Sequence, residues 1–215
     1  MAYEFASASS QSLNTTSTPV SGVPVTLSCW VKCNTLPSVQ TCIFGIGVNT
    51  TVNSTYITLE LQSTNRPQAV HRSSVIASSN ATTGSIIAGE WFHLCGVFET
   101  NALRTIYWNG VASTANTTSV TPFTATRIQI GRRPNTIATG AAFLTGNVAE
   151  SGIWNAALSP AEIGSLAKGM TCDKIRPQSL VFYAPLVRDL IDQKGGLTIT
   201  NNNGATVAAH PRVYA

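Results

Sequence analysis

Alternating apolar and polar positions recur along the chain, and this period of two predicts β-strands rather than helices. The clearest case is residues 25–33, VTLSCWVKC, where valine, leucine and cysteine occupy every second position. Residues 90–99, EWFHLCGVFE, are apolar on both faces, which is typical of a central strand covered on both sides. Residues 103–108 lead into Asn109-Gly110, the strongest short signal for a hairpin turn. The pattern therefore predicts a sheet protein of about a dozen strands.

The stretch 143–169, FLTGNVAESGIWNAALSPAEIGSLAKG, carries the most specific pattern, one strand followed by one short helix. Strict alternation gives the strand two faces. One face carries Val148, Glu150, Gly152 and Trp154, and the other carries Ala149, Ser151 and Ile153. Because neither face is strongly polar, we expect this strand to lie inside a sheet.

The helix that follows has both a start and a stop signal. Ser159 and Glu162 form an S-x-x-E capping box, and Pro160 stands at the first helical position, where a missing N–H costs nothing. Gly169 ends the helix after about ten residues. A helix of this length is unstable alone, so we expect it to dock on the sheet through Ile163 and its apolar neighbours.

These elements predict an all-β fold, a two-sheet antiparallel sandwich with one short helix. No long linker divides the 215 residues, and sandwiches of this size fold as single domains. We therefore assign residues 1–215 to one domain, with a C-terminal extension from about residue 170.

Composition and charge narrow the classes of function. Hydrophobic residues make up 43% of the chain and charged residues only 10%, so we expect a neutral, polar surface. The net charge is +4, and Arg132-Arg133 is the only adjacent basic pair, which argues against nucleic-acid binding. No apolar run approaches the ~20 residues of a membrane span, and the start MAYEFASASSQ lacks the features of an export signal. We expect no nucleic-acid partner and no membrane association.

Catalytic chemistry is sparse in the sequence. Glycan hydrolysis needs two carboxylates facing one bond, yet no two acidic residues lie two positions apart. No G-x-S-x-G motif occurs, and we expect His93 to be packed and bonded to a neighbouring strand. We predict a protein that is not an enzyme.

Metal-binding and disulfide signals are also weak. The five cysteines cannot all pair, and they include no C-x-x-C motif, so a zinc site is unsupported. We interpret Cys29 and Cys33 as small buried hydrophobes, while a Cys33 to Cys42 bridge stays open. Nine scattered acids predict no strong calcium site, although a loop site built from asparagine and carbonyl oxygens stays open. The candidate loop ligands are Asn49, Asn53 and Asn80. We predict no cofactor and no metal.

Four tryptophans, at positions 30, 91, 108 and 154, offer aromatic surfaces for a ligand. On alternating strands most of them are expected to pack in the core or on a sheet face. Trp108 stands beside the Asn109-Gly110 turn and is the one expected to be exposed. Trp108 and Asn109 are therefore the candidate ligand contacts.

From Tyr3 to Ala167 the chain resembles laminin-G-like, or concanavalin A-like, jelly-roll domains. The similarity rests on four pieces in the same order: the strand VTLSCWVK, the W-x-H-x-x-G-V-F stretch at 91–98, the hairpin at 103–111, and GNVAESGIWNAALSPAEI at 146–163. The tail is similar to the ends of such domains in bacteriophage structural proteins. The resemblance implies a jelly roll; members bind carbohydrate or protein, some with calcium, and some related sandwiches hydrolyse glycans.

Two hypotheses of function follow. The first is a non-catalytic virion structural protein, a capsid decoration or cement protein at the virion surface, assembled in the host cytoplasm. Its partners would be other copies of itself in a homo-oligomer and the major capsid protein. The phage-like tail and the absence of an export signal favour it. The second is a carbohydrate-binding, lectin-like module, for example on a phage tail or fibre, with a glycan as its partner; the fold and the exposed aromatic favour it.

Overall fold

The computed structural model describes residues 1–49, 55–73, 75–82, 84–134, 142–187 and 189–214 of the chain. The strands found in these ranges are β1 (Ala2–Phe5), β2 (Ser12–Asn14), β3 (Val25–Cys33), β4 (Thr41–Gly47), β5 (Tyr56–Leu61), β6 (Pro67–Arg72), β7 (Ile76–Asn80), β8 (Trp91–Thr100), β9 (Leu103–Trp108), β10 (Val111–Ala112), β11 (Arg127–Ile130), β12 (Gly146–Trp154), β13 (Leu180–Ala184), β14 (Thr200–Asn202) and β15 (Thr206–Ala208). The α-helix α1 is Pro160–Ala167, and 3₁₀ turns span Ser7–Ser9 and Cys172–Lys174.

The strands form two antiparallel sheets packed face to face. Sheet A has the order β10-β9-β8-β3-β12-β1-β15, and β13 also pairs with β12. Sheet B has the order β14-β2-β11-β4-β5-β6-β7. The predicted all-β class, a two-sheet antiparallel jelly-roll sandwich with one short helix, is confirmed.

The main core lies between the sheets and follows the predicted alternation. In β3, Leu27, Cys29 and Val31 are fully buried and belong to this core. Ile57 of β5 and Ile128 of β11 meet them from sheet B. All five cysteines are buried and unpaired, so the bridge between Cys33 and Cys42 that the sequence left open does not form.

Strand β12 departs from the predicted two-face assignment. Val148 and Ile153 both belong to the core between the sheets, although strict alternation places them on opposite faces. Glu150 has a φ of 52°, and the register with β3 shifts between Ala149 and Gly152. This β-bulge reverses the phase of the strand, so Trp154 faces the outside of sheet A. The predicted faces are therefore wrong beyond the bulge.

Helix α1 covers part of the outer face of sheet A. Ile163 and Leu166 pack with Trp154 in a second apolar cluster. The capping box is present, since Ser159 Oγ accepts from Glu162 N and Glu162 Oε2 accepts from Ser159 N at 2.7 Å. The helix ends at Ala167, two residues before Gly169, whose φ is 98°.

The chain after residue 170 contributes to both sheets. β13 and β15 join sheet A and β14 joins sheet B, so the predicted extension adds strands to the sandwich itself. His210 lies in the segment after β15, and its Nε2 is 3.3 Å from Glu150 Oε1. No helix in the described ranges has the length and apolarity needed to cross a bilayer.

Candidate functional site

The predicted ligand contact Trp108 lines a cavity of about 310 Å³ at one end of the sandwich. Its indole is half-buried and packs against the main core, so it is less exposed than expected. Gly84 lies directly against the ring, because a Cβ at that position would come within 2.7 Å of Trp108 Cζ3. We call this space the Trp108 cavity; Ala81, Thr82, Gly84, Asn109, Val111, Ala112 and Ser113 complete its lining.

Asn109 has a structural role in the turn between β9 and β10. Asn109 and Gly110 have φ angles of 49° and 82°, the left-handed pair that a tight β-hairpin turn requires. The Asn109 side-chain Oδ1 also accepts a hydrogen bond from His93 N at 2.8 Å. One of its side-chain polar atoms is thus engaged by the protein, although Asn109 still lines the cavity.

The other sequence candidates pack within the fold. His93 is buried, and its Nε2 lies 2.8 Å from Ser28 Oγ on β3, which confirms the expected bond to a neighbouring strand. Burial lowers the pKa of His93 to about 3 and raises the pKa of Cys95 well above its usual range. A neutral histidine and a protonated thiol do not form a nucleophile and base pair. Trp154 is fully buried and donates from Nε1 to Ile175 O at 2.8 Å.

The outer face of sheet B is polar, because its outward positions alternate with the core residues. Leu13 and Ile128 point into the core, so Asn14 and Gln129 point outward. Asn14 of β2 lies directly opposite Gln129 of β11. Gly45 of β4 lies on the other side of Gln129 and presents no side chain there.

A cavity of about 270 Å³ opens on this face, and we call it the amide cavity. Its described lining residues are asparagine, glutamine, serine and arginine with one aromatic ring. They are Ser10, Ser12, Asn14, Arg127, Gln129, Arg132, Phe143, Asn202 and Asn203. Asn202 Nδ2 donates to Asn14 Oδ1 at 2.6 Å, and Asn203 Nδ2 donates to Ser10 O at 2.9 Å. These bonds hold part of the wall in place while leaving several amide and hydroxyl atoms along the cavity.

A buried ion pair lies on the same sheet. Arg133 binds Glu60 through a fork, Nε to Oε1 at 2.8 Å and Nη2 to Oε2 at 2.7 Å. Gln40 Nε2 and Thr58 Oγ1 also donate to Glu60, at 2.7 and 2.9 Å. Burial alone would lower the pKa of Arg133, but the hydrogen bonds and charge of Glu60 raise it above its ordinary value. Glu60 is therefore a neutralised structural carboxylate.

The second buried glutamate lies on the other sheet. Glu150, in the bulge of β12, accepts from Tyr183 Oη at 2.6 Å. Burial and the charge of Glu150 raise the pKa of Tyr183 above its ordinary value. Because Glu60 belongs to sheet B and Glu150 to sheet A, the structure does not bring these two carboxylates to one site.

The two described residues named for a loop calcium site, Asn49 and Asn80, bond to different parts of the fold. Asn80 lies in β7, where its Oδ1 accepts from Gln62 Nε2 at 2.9 Å. Asn49 N donates to Thr126 Oγ1 at 3.4 Å, and Asn53 lies outside the described residues. Across the described part of the chain, no three His, Cys, Asp or Glu side chains are grouped to hold an ion. The absence of a bound metal or cofactor stays a prediction.

A laminin-G family model, described as the concanavalin A-like lectin/glucanases superfamily, matches residues 7–164. The chain belongs to this superfamily. A search of curated proteins finds no match. The superfamily name includes both lectins and glucanases, so membership alone does not decide between binding and hydrolysis.

Several solved structures share the fold of this chain at low sequence identity. A heptameric SAP-like pentraxin from Limulus polyphemus superposes with a TM-score of 0.65 at 14% identity, over 91% of this chain and 87% of that chain. A putative carbohydrate binding protein from Bacteroides ovatus has a TM-score of 0.69 at 14% identity, over 95% and 58%. A sialidase from Trypanosoma rangeli has a TM-score of 0.53 at 17% identity, and the match covers 66% of this chain but only 22% of the sialidase. These likenesses show the fold.

The sequence pattern did not predict the amide cavity. The local signal was present, since SLN at 12–14 and RIQI at 127–130 place polar residues at every second position. Strand order was the missing information: β2, β11 and β14 come from distant parts of the chain and are neighbours only in the folded sheet.

Proposed function

We propose that the protein is a non-catalytic carbohydrate-binding domain that binds its glycan in the amide cavity. The single observation that carries the proposal is the lining of that cavity, where amide, hydroxyl and guanidinium groups surround a space beside the ring of Phe143. Sugar hydroxyls both donate and accept hydrogen bonds, and amide and hydroxyl side chains do the same. The aromatic ring adds an apolar surface for the C–H face of a sugar.

The size of the cavity also supports a small ligand unit. Ligand pockets commonly span ~300–1,000 Å³, and the amide cavity, at about 270 Å³, is just below that range. A single sugar residue at the end or side of a longer glycan matches this space. The walls are pre-formed by strands β2 and β11, which lowers the cost of ordering side chains on binding.

The carboxylates support a binding role rather than hydrolysis. Glu60 already accepts hydrogen bonds from arginine, glutamine and threonine, and Glu150 belongs to the opposite sheet. A glycosidase needs two carboxyl groups on either side of one bond. We therefore expect no turnover of β-glucan or galactan oligosaccharides; turnover that disappears in Glu60→Gln would contradict this part of the proposal.

A glycan array followed by calorimetry tests the binding function. We expect wild-type protein to bind a defined glycan, and Gln129→Leu to weaken that binding by about tenfold, because it removes an amide from the cavity floor. Gln178→Leu, at an exposed position outside the cavity, is the control for the substitution, and the unfolding midpoint of Gln129→Leu verifies that the protein stays folded without this buried amide. Retention of full affinity in Gln129→Leu would rule out the amide cavity, and absence of any glycan binding would refute the function.

The Trp108 cavity is the alternative place for the sugar. The observation that favours this cavity is the half-buried indole of Trp108, which faces a space of about 310 Å³. If Trp108→Phe weakens glycan binding while Gln129→Leu does not, the glycan is bound at the Trp108 cavity. The two variants lie on different sheets, so their effects are separable.

A capsid decoration role remains a second proposal, with the protein as a homo-oligomer on the major capsid protein at the virion surface. The observation that favours self-association is the edge of sheet A. β15 pairs with β1 on one side only, and Val207 in it is 47% exposed. Exposed strand edges and apolar side chains promote pairing between chains.

Native mass spectrometry and purification from a source particle test the virion proposal. We expect a defined oligomer that Val207→Lys shifts toward monomer, because a charge on an edge strand opposes pairing. Val39→Lys is the matched control, since Val39 is also an exposed valine but lies in the loop between β3 and β4, away from this edge. A strictly monomeric protein that is absent from particles would refute the decoration role and leave the carbohydrate-binding proposal unaffected.

A further inference from the structure

The amide cavity contains positive charge without a matching acid in its described lining. Arg127 and Arg132 both line it, and none of the other lining residues given above is acidic. None of the ion pairs among the described residues includes Arg127. Its Nε is buried and has no hydrogen-bond partner among them.

The surroundings of these arginines disfavour their charge. Burial lowers the pKa of Arg127 from the ordinary arginine value. Burial also lowers the pKa of Arg132, and the nearby charge of Arg127 lowers it further. Two like charges that are partly removed from water gain most from an anion placed between or beside them.

Arg132 is oriented by its neighbours. Its guanidinium lies 5.0 Å from the centroid of the Phe143 ring, and its Nε donates to Arg133 O at 3.3 Å. A guanidinium this close to an aromatic ring makes a cation–π contact, which fixes where its positive charge lies. The Phe143 ring and the Arg132 guanidinium thus lie side by side in the wall of the amide cavity.

Arg133 provides the contrast within the same loop. Its guanidinium is matched by the fork from Glu60, with both hydrogen bonds shorter than 3 Å. Glu60 therefore neutralises the charge of Arg133 within the protein. Arg127, by contrast, faces the amide cavity, whose other described lining residues include no acid.

We infer that the amide cavity selects an anionic saccharide, one whose carboxylate or sulfate pairs with Arg127 while its hydroxyls meet the amides. This inference rests on the proposed carbohydrate-binding function. Planar guanidinium groups match carboxylate and sulfate oxygens through paired hydrogen bonds, and such charge-assisted bonds are stronger than neutral ones.

Calorimetry on wild-type protein with paired oligosaccharides tests the inference. The pairs are galactose and galacturonic acid trimers, glucose and glucuronic acid trimers, and a galactose trimer with and without sulfate esters. We expect binding of the acidic members only, weakened at high salt because screening reduces the attraction. Preference for the uronic acids or for the sulfated trimer identifies the anionic group.

Variants of Arg127 link the selectivity to the cavity. We expect Arg127→Gln to weaken binding of the acidic trimer by about tenfold or more, and Arg127→Lys to restore only part of it, because lysine keeps the charge but not the fork. Arg66→Gln is the matched control, since Arg66 is exposed and outside the cavity. Unfolding midpoints of all variants verify that they remain folded.

The outcomes separate the two proposals. Equal binding of neutral and acidic members would overturn the anionic inference while the carbohydrate-binding function stands. Binding of acidic sugars that is unchanged in folded Arg127→Gln would also overturn it, by placing the charge recognition elsewhere. If no oligosaccharide binds to the protein, either in calorimetry or on the array, the proposed carbohydrate-binding function is refuted.

Discussion

The outer faces of the two sheets differ in what covers them. On sheet A, helix α1 and the 3₁₀ turn at Cys172–Lys174 bury an apolar cluster that includes Trp154 and Val97. On sheet B, within the described ranges, no α-helix packs on the outer face, and the positions that line the amide cavity carry amides, hydroxyls and arginines. One face thus has an apolar cover, whereas the other has a polar cavity.

The difference has a simple physical origin. Both sheets have the same alternation on their inner faces, so both contribute to one core. Outward apolar residues on sheet A need a covering layer, because large exposed apolar patches are costly in water. Outward amides on sheet B satisfy one another, as Asn202 and Asn14 do, and therefore need no apolar layer over them.

Removing the largest side chain of the covered face should have the largest effect. Trp154 is fully buried and its indole N–H is bonded to Ile175 O. We expect Trp154→Ala to lower the free energy of unfolding by about 4 kcal/mol, through lost packing and a residual cavity. Urea denaturation measures this. Trp91→Ala, at a half-buried position on the same face, should cost less than half as much; equal costs would show that the helix adds no protection.

Among changes on sheet B, breaking the buried ion pair should cause the largest loss in the free energy of unfolding. Glu60 is fully buried, and Glu60→Gln leaves Arg133 without its countercharge. Removing one partner of a buried pair commonly costs about 3 kcal/mol. The expected loss is seen as a lower denaturation midpoint, with Glu90→Gln, an exposed acid, as the control. An unchanged midpoint would mean that solvent or another group neutralises Arg133.

Acid should lower the free energy of unfolding through protonation of His93, which lies on the covered face of sheet A. Its pKa is about 3 in the folded protein and 6.5 in the unfolded chain, so below pH 6.5 only the unfolded chain takes up the proton. The stability is therefore complete above pH 6.5 and falls as the pH drops toward 3, by about 1.4 kcal/mol per pH unit. Unfolding measured from pH 6 to pH 4.5 should include this contribution to the slope.

A variant separates His93 from the other buried histidine. Burial, with the charge of Arg104, lowers the pKa of His71 to about 4, so His71 adds a similar slope. His93→Asn should remove only its own share, about 1.4 kcal/mol per pH unit, and leave the share of His71. If the slope is the same in the variant and in the wild type, His93 does not remain neutral in the fold.

Removing the helix cap should give the smallest effect. Ser159→Ala deletes the side-chain oxygen that accepts from Glu162 N, and we expect a loss of about 1 kcal/mol in unfolding free energy. Ser165→Ala, on the same helix, is the control. An unchanged denaturation midpoint would show that packing on sheet A and the Arg176 to Glu162 ion pair hold the helix without the cap.

Local spacing in the sequence was enough to predict several features. The alternation of residues 25–33 fixed the inward face of β3, Asn109-Gly110 marked the hairpin, and Ser159 with Glu162 marked the helix start. Each depends on residues a few positions apart, where backbone geometry alone decides which side chains meet. The strand pattern likewise predicted a two-sheet antiparallel sandwich, whereas the concanavalin A-like jelly roll was implied by the resemblance of four segments to known domains.

Two features were decided only by the tertiary structure. The bulge at Glu150 turns Trp154 to the outside of sheet A, because one extra residue reverses every later side chain in a strand whose period is two. The amide cavity requires Asn14, Gln129 and Asn202 to be neighbours, and strand order depends on how the whole core packs. Spacing tells which way a residue points, whereas only the assembled sheets decide which distant residues lie beside it.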